Sequence, residues 1–169
     1  MPQTLAATDT AQALDRVVVT ATRSNASTFE LPASIDSVDV ETALRRGASP
    51  AELLQGMPGV TARDRGNYAQ DTEIAIRGFG ARSTFGIRGV RLYVDGIPAT
   101  QPDGQGQVSH FNLDSAGRIE VLRGPFSALH GNASGGVIQL FTADAPQPPE
   151  WRAGATVGSF GTTRLHAGF

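Results

Sequence analysis

Residues 119–138 leave this chain few ways to fold. Ile-Glu-Val-Leu-Arg is followed by Gly124-Pro125, then by Phe-Ser-Ala-Leu-His, and then by Gly131-Asn132-Ala133-Ser134-Gly135-Gly136-Val137-Ile138. Apolar and β-branched residues flank a break in which glycine and proline recur. Glycine reaches positive φ and lets another backbone come close, while proline fixes its own φ and cannot donate to a ladder. One continuous helix or one long strand is therefore excluded. The stretch predicts two strands, over 118–123 and 137–142, around a turn-rich connection.

The other elements follow from similar local signals. Residues 1–14 are small and polar and read as a disordered tail. Asp-Arg-Val-Val-Val-Thr-Ala-Thr over 15–22 is a β-branched strand in search of a partner. A short strand is expected over 34–38 and a brief helix over 40–46, ending at Gly47. Ser49-Pro50-Ala51-Glu52 is a helix start, with a capping serine, proline at the first helical position and glutamate placed to close a capping box. That helix turns Leu53 and Leu54 inward and stops before Pro58-Gly59. Strands are expected over 60–63, over 73–77 with Ile74 and Ile76 on one face, and over 90–94, ended by an Asp95-Gly96 turn. Residues 66–71, 78–89 and 99–109 read as loops, and 112–117 as a single helical turn. Three prolines mark 144–150 as a boundary. Beyond it, 151–157 and 163–169 are two strand-like runs.

At 169 residues the chain suits one domain with a tail, and its 40% of hydrophobic residues can supply a core. The net charge of −2 leaves no broad nucleic-acid footprint. All 14 basic residues are arginine, the residue suited to meeting carboxylates with a bidentate fork. With no cysteine, disulfides and thiolate metal sites are excluded. His110, His130 and His166 are too scattered to read as a metal cluster. Residues 1–13 lack the basic start and apolar run of a secretory leader, so an exported precursor would need one ahead of them. No run of ~18 apolar residues offers a transmembrane helix.

Taken with Ile76-Arg77-Gly78-Phe79-Gly80 and Leu92-Tyr93-Val94-Asp95-Gly96-Ile97-Pro98, the 119–138 stretch resembles the plug domain of TonB-dependent outer-membrane receptors. The motifs come in that family's order and spacing, and the resemblance covers about 15–142. It implies an α+β plug at 30–145: a small mixed β-sheet, short helices and long apical loops. Residues 146–169 would be a linker and the first hairpin of a 22-stranded outer-membrane β-barrel. Such a barrel takes ~10 residues per strand, so several hundred more would follow and this chain would be a truncated piece.

The resemblance also implies roles. Asp15, Arg16, Val17, Val18, Val19, Thr20 and Ala21 stand where that family carries its TonB box, which pairs with the carboxy-terminal domain of the periplasmic transducer TonB. The physics there is strand addition: backbone hydrogen bonds hold the partner and side chains add modest specificity. Arg77 and Arg123, each at a strand end before glycine, match arginines that face glutamates on the inner barrel wall. Asn67, Tyr68, Gln70, Arg82, Ser83, Thr84, Phe85 and Arg88, with Thr100, Gln101, Asp103 and Gln105, stand where apical loops meet the ligand. Arginines with amides suit an anionic, oxygen-rich nutrient. The loop text is most similar to receptors for pyrroloquinoline quinone, a planar tricarboxylate. A ferric siderophore is the alternative ligand, and a free-standing periplasmic binding or signalling module is the alternative protein.

Other chemistry finds little support. Gly78-Phe79-Gly80-Ala81-Arg82-Ser83 fails the dinucleotide fingerprint, because Ser83 stands at the third glycine and no helix with a spaced acidic residue follows. No catalytic constellation, metal set or cofactor is expected. The expected function is gating of energy-coupled import at the outer membrane, with the amino-terminal segment facing the periplasm.

Overall fold

The computed structural model describes residues 18–19, 26–27, 34–40, 49–66, 70–83, 86–124, 127–146 and 148–169. In chain order the strands are β1 (Val18–Val19), β2 (Ala26–Ser27), β3 (Ser34–Asp39), β4 (Val60–Arg63), β5 (Glu73–Ile76), β6 (Ile87–Arg88), β7 (Val90–Val94), β8 (Ile97–Pro98), β9 (Gln105–Gly106), β10 (Ala116–Arg123), β11 (Gly136–Thr142), β12 (Arg152–Val157) and β13 (Thr163–Gly168). Helix α1 (Pro50–Gln55) precedes β4, and a four-residue helix α2 (Ser127–His130) lies between β10 and β11.

Five strands form the central sheet in the order β3-β10-β11-β7-β8. β7 and β11 run parallel and the other neighbours antiparallel. The expected connection between 118–123 and 137–142 is thus an antiparallel pairing, with Arg123 opposite Gly136. Gly136 has φ 144, and a Cβ there would lie 2.2 Å from the Leu122 carbonyl oxygen. Only glycine fits. At Gly135 a Cβ would lie 2.5 Å from Phe79 Cβ, so the turn after β5 presses directly on the glycine pair.

One sheet face carries Val90, Leu92, Ile119, Val121, Ile138 and Leu140, which share a core with α1, β4 and β5. Ile35, Tyr93, Leu122, Ala133 and Val137 make a smaller cluster. α1 begins as expected: Ser49 Oγ accepts from Glu52 N at 3.3 Å and Ser49 N donates to Glu52 Oε2 at 2.8 Å, with Leu53 and Leu54 buried. Asp95 (φ 48) and Gly96 (φ 80) form the two-residue β7–β8 turn. Asp95 also anchors it, because Thr142 N donates to its Oδ1 at 2.8 Å.

Several expectations change. The described residues are mostly β rather than α+β, with the two short helices and 3-10 turns at Leu113–Ser115 and Ser159–Gly161. Six helical residues at α1 suffice to cover the β4–β5 pair, and glycine density elsewhere leaves no room for longer helices. The expected 40–46 helix lies outside the described residues except for buried Val40. The loops 78–89 and 99–109 are not free: β6 and β9 lie within them and pair antiparallel, Ile87 with Gly106 and Arg88 with Gln105. The strand expected over 73–77 stops at Ile76, because Arg77 (φ 49) and Gly78 (φ 86) form a tight turn to Phe79. Ile76 and Phe79 exchange both backbone hydrogen bonds at 2.9 Å.

Candidate functional site

Three groups of sequence-predicted residues have different fates. Arg77 and Arg123 come together although 46 positions separate them in the sequence. Both border Gly59: a Cβ there would lie 3.5 Å from Arg77 Cγ and 4.0 Å from Arg123 Nη1. Arg77 N donates to Gly59 O at 2.8 Å. Their side chains differ in surroundings. Arg123 is 11% exposed, forms an ion pair with Asp36 of β3 and donates through Nη1 to Pro58 O. Arg77 is exposed and has no ion pair among the described residues. Asp36 and the Pro58 carbonyl were not legible as site residues, since local pattern gives no register between β3 and β10.

The apical loops are held by the β6–β9 pairing. Ser83 N donates to Gly80 O at 2.9 Å, and Gln101 N donates to Gln105 O at 2.8 Å. Asp103 Oδ1 accepts from Gln105 N at 3.0 Å, so this carboxylate caps its own loop. Thr100 differs from its loop neighbours. It is 8% exposed, and its hydroxyl accepts from Leu92 N at 2.8 Å, which commits it to the sheet. Arg82, Arg88, Gln101 and Asp103 are exposed, and Gln70 and Gln105 are half-buried. Neither Arg82 nor Arg88 has an ion pair among the described residues. Asn67, Tyr68, Thr84 and Phe85 lie outside the described residues.

In the amino-terminal segment, Val18 pairs with Ser27 and Val19 with Ala26, antiparallel. Asp15, Arg16, Val17, Thr20 and Ala21 lie outside the described residues.

With this geometry in place, the likeness to known proteins is direct. A family profile described as TonB-dependent Receptor Plug Domain matches residues 27–137. The chain belongs to that plug-domain family. It is 36% identical over 135 residues to a hemin receptor of Yersinia enterocolitica, covering 78% of this chain and 18% of that receptor. It is 33% identical over 159 residues to a hemin receptor of Yersinia pestis, covering 90% of this chain and 22% of that receptor. Among solved structures, the ferric yersiniabactin uptake receptor from Yersinia pestis superposes with a TM-score of 0.57 at 26% identity, over 79% of this chain and 20% of that one. This chain thus spans about a fifth of the relatives it matches. As a TonB-dependent receptor plug it is a component of an outer-membrane transport protein and not an enzyme.

Proposed function

We propose that this chain is the plug of a receptor that imports a planar, carboxylate-bearing nutrient by coupling to TonB. The observation that carries the ligand class is the exposure of Arg82 and Arg88, two guanidiniums without acidic partners among the described residues, on loops held by β6 and β9. Fixed arginines suit carboxylates, and stiff loops lower the ordering cost of binding. Hemin, a planar dicarboxylate, is favoured over pyrroloquinoline quinone because both named relatives are hemin receptors. The quinone rests on loop text alone, and a ferric siderophore explains the paired arginines less directly. Gln70, Ser83, Gln101, Asp103 and Gln105 border the same loops, with Asn67, Tyr68, Thr84 and Phe85 assigned to the site by sequence only.

The remaining roles fit the same reading. The 15–21 segment docks TonB by strand addition. Arg77, lacking an internal acid among the described residues, meets a glutamate of the enclosing barrel, and Arg123 faces that wall while held by Asp36. β12 and β13 begin the barrel: Ala153, Ala155, Val157, Leu165 and Ala167 share one face, while Arg152, Thr156, Arg164 and His166 share the other. That two-residue alternation is the pattern of a lipid-facing strand pair.

The test is growth on hemin as sole iron source, in a strain whose hemin uptake depends on the receptor carrying this plug. Growth is expected, and Arg82→Ala with Arg88→Ala should cut uptake about tenfold or more, the factor that ~1.4 kcal/mol represents. Uptake of the quinone or of a ferric siderophore, with none of hemin, would replace the ligand. Undiminished uptake by the double variant would remove the two arginines from the site.

A further inference from the structure

We propose that the Asp36–Arg123 pair is a clamp that sets how readily β3 leaves the sheet when the amino-terminal segment is drawn away. The inference rests on the proposed function only for the source of that pull.

β3 is an edge strand and pairs, among the described residues, with β10 alone. Its ladder opens with Ser34 opposite Arg123 and closes with Asp39 opposite Arg118. Ser34 is the first residue of the strand, so tension on the chain ahead of β3 reaches the sheet at the Arg123 end. Tension on one end of an edge strand parts its pairs in turn rather than together. The contacts nearest Ser34 therefore decide whether release begins.

The ion pair stands at that point. Asp36 is opposite Val121, which makes it the diagonal neighbour of Arg123 on the same sheet face. Arg123 is well anchored, being 11% exposed and donating to Pro58 O, so one guanidinium joins β3, β10 and the turn ahead of β4. Within β3 only Ile35 is buried, whereas most of β10 and β11 is buried and both have neighbours on each side. The carboxylate comes from the strand that departs. When β3 leaves, Asp36 goes with it and the Arg123 guanidinium is freed beside Arg77.

Single-molecule force measurements on this chain test the clamp. The chain has no cysteine of its own, so Asp15→Cys and Ser134→Cys supply unique handles; both lead into the sheet at its Arg123 end, which peels β3 rather than shearing it. The expected record shows an early release of Ser34–Asp39, followed by rupture of the remaining sheet at higher force. Asp36→Asn should speed the early release about tenfold at a given force and leave the later rupture unchanged. Asp36→Glu, which keeps the charge, should restore it towards wild type. An early release unaffected by Asp36→Asn overturns the proposal, as does a wild-type sheet that opens in one step with β3. If the asparagine variant does not fold, amide exchange of the wild-type chain decides. Raising salt to ~1 M, where the Debye length is about 3 Å, should speed exchange of the β3 amides relative to those of β7. An equal response of both strands overturns the clamp. Neither measurement uses ligand, barrel or transducer, so failed hemin uptake leaves the clamp standing, and a failed clamp leaves the uptake reading standing.

Discussion

Arg77 and Arg123 carry the same side chain before the same glycine, yet their contacts predict unequal effects. Arg123 forms an ion pair with a carboxylate and donates to a carbonyl inside the plug. Its replacement strands a half-buried Asp36, and Arg123→Gln should cost ~2 kcal/mol of stability. Arg77 is exposed, and Arg77→Gln should stay within ~0.5 kcal/mol. Urea unfolding of the two variants checks this, and equal losses would contradict the assignment. The sequence motif predicts that both arginines are surplus in a plug without its barrel. Arg123 has an internal partner as well, Asp36, reached across strands through a register no local pattern encodes. The partner of Thr100 was not legible for a related reason: a hydroxyl eight residues from Leu92 meets that strand only once the chain has turned at Asp95-Gly96.

Elements were legible where their signals are local. The capping box of α1 and the Asp95-Gly96 turn depend on neighbours within a few residues, and both form as read. β6 and β9 were not legible, since two paired residues have no period to detect. Nor was the parallel placement of β7 beside β11, which depends on long-range pairing. Gly136 offers a test of how tightly the β10–β11 connection is built. A Cβ would meet the Leu122 carbonyl oxygen at 2.2 Å, at φ 144, so Gly136→Ala should cost at least ~2 kcal/mol. Gly131, at φ 71 with nothing within 4 Å of a Cβ, should lose only about 1 kcal/mol on the same change. The urea midpoint should fall with its slope unchanged, and equal losses at both positions would mean that the close contact relaxes away. At the other end of the chain, β1 pairs over two residues among those described. Val18→Pro should therefore leave the fold within ~1 kcal/mol while abolishing binding of the TonB carboxy-terminal domain, since proline removes a ladder donor. Calorimetry showing equal binding by wild type and variant would rule out strand addition at this segment.

At the scale of the whole molecule, plug and hairpin differ in where their apolar residues lie. Among the described residues, the plug buries its isoleucines and leucines in one main cluster and one small one, apart from exposed Ile97 and Leu129. The hairpin leaves Trp151 at 81%, Val157 at 80%, Leu165 at 77% and Phe169 at 78% exposure, with the Trp151 and Phe169 rings 4.6 Å apart. In the sequence three prolines set 144–150 apart, and the alternation beyond them is clear in the observed register. Between hairpin and plug, Arg164 pairs with Asp114 at 2.8 Å, half-exposed on both sides. Exposed pairs contribute little, with a median of ~0–1 kcal/mol. Removing residues 147–169 should therefore change the plug's unfolding free energy by less than ~1 kcal/mol. It should also abolish binding to detergent micelles, because the exposed apolar face departs with the hairpin. Urea unfolding and micelle co-sedimentation of the full and shortened chains measure the two effects. A loss of several kcal/mol would make the hairpin part of the plug's own core, and undiminished micelle binding would place the lipid-facing surface elsewhere on the chain.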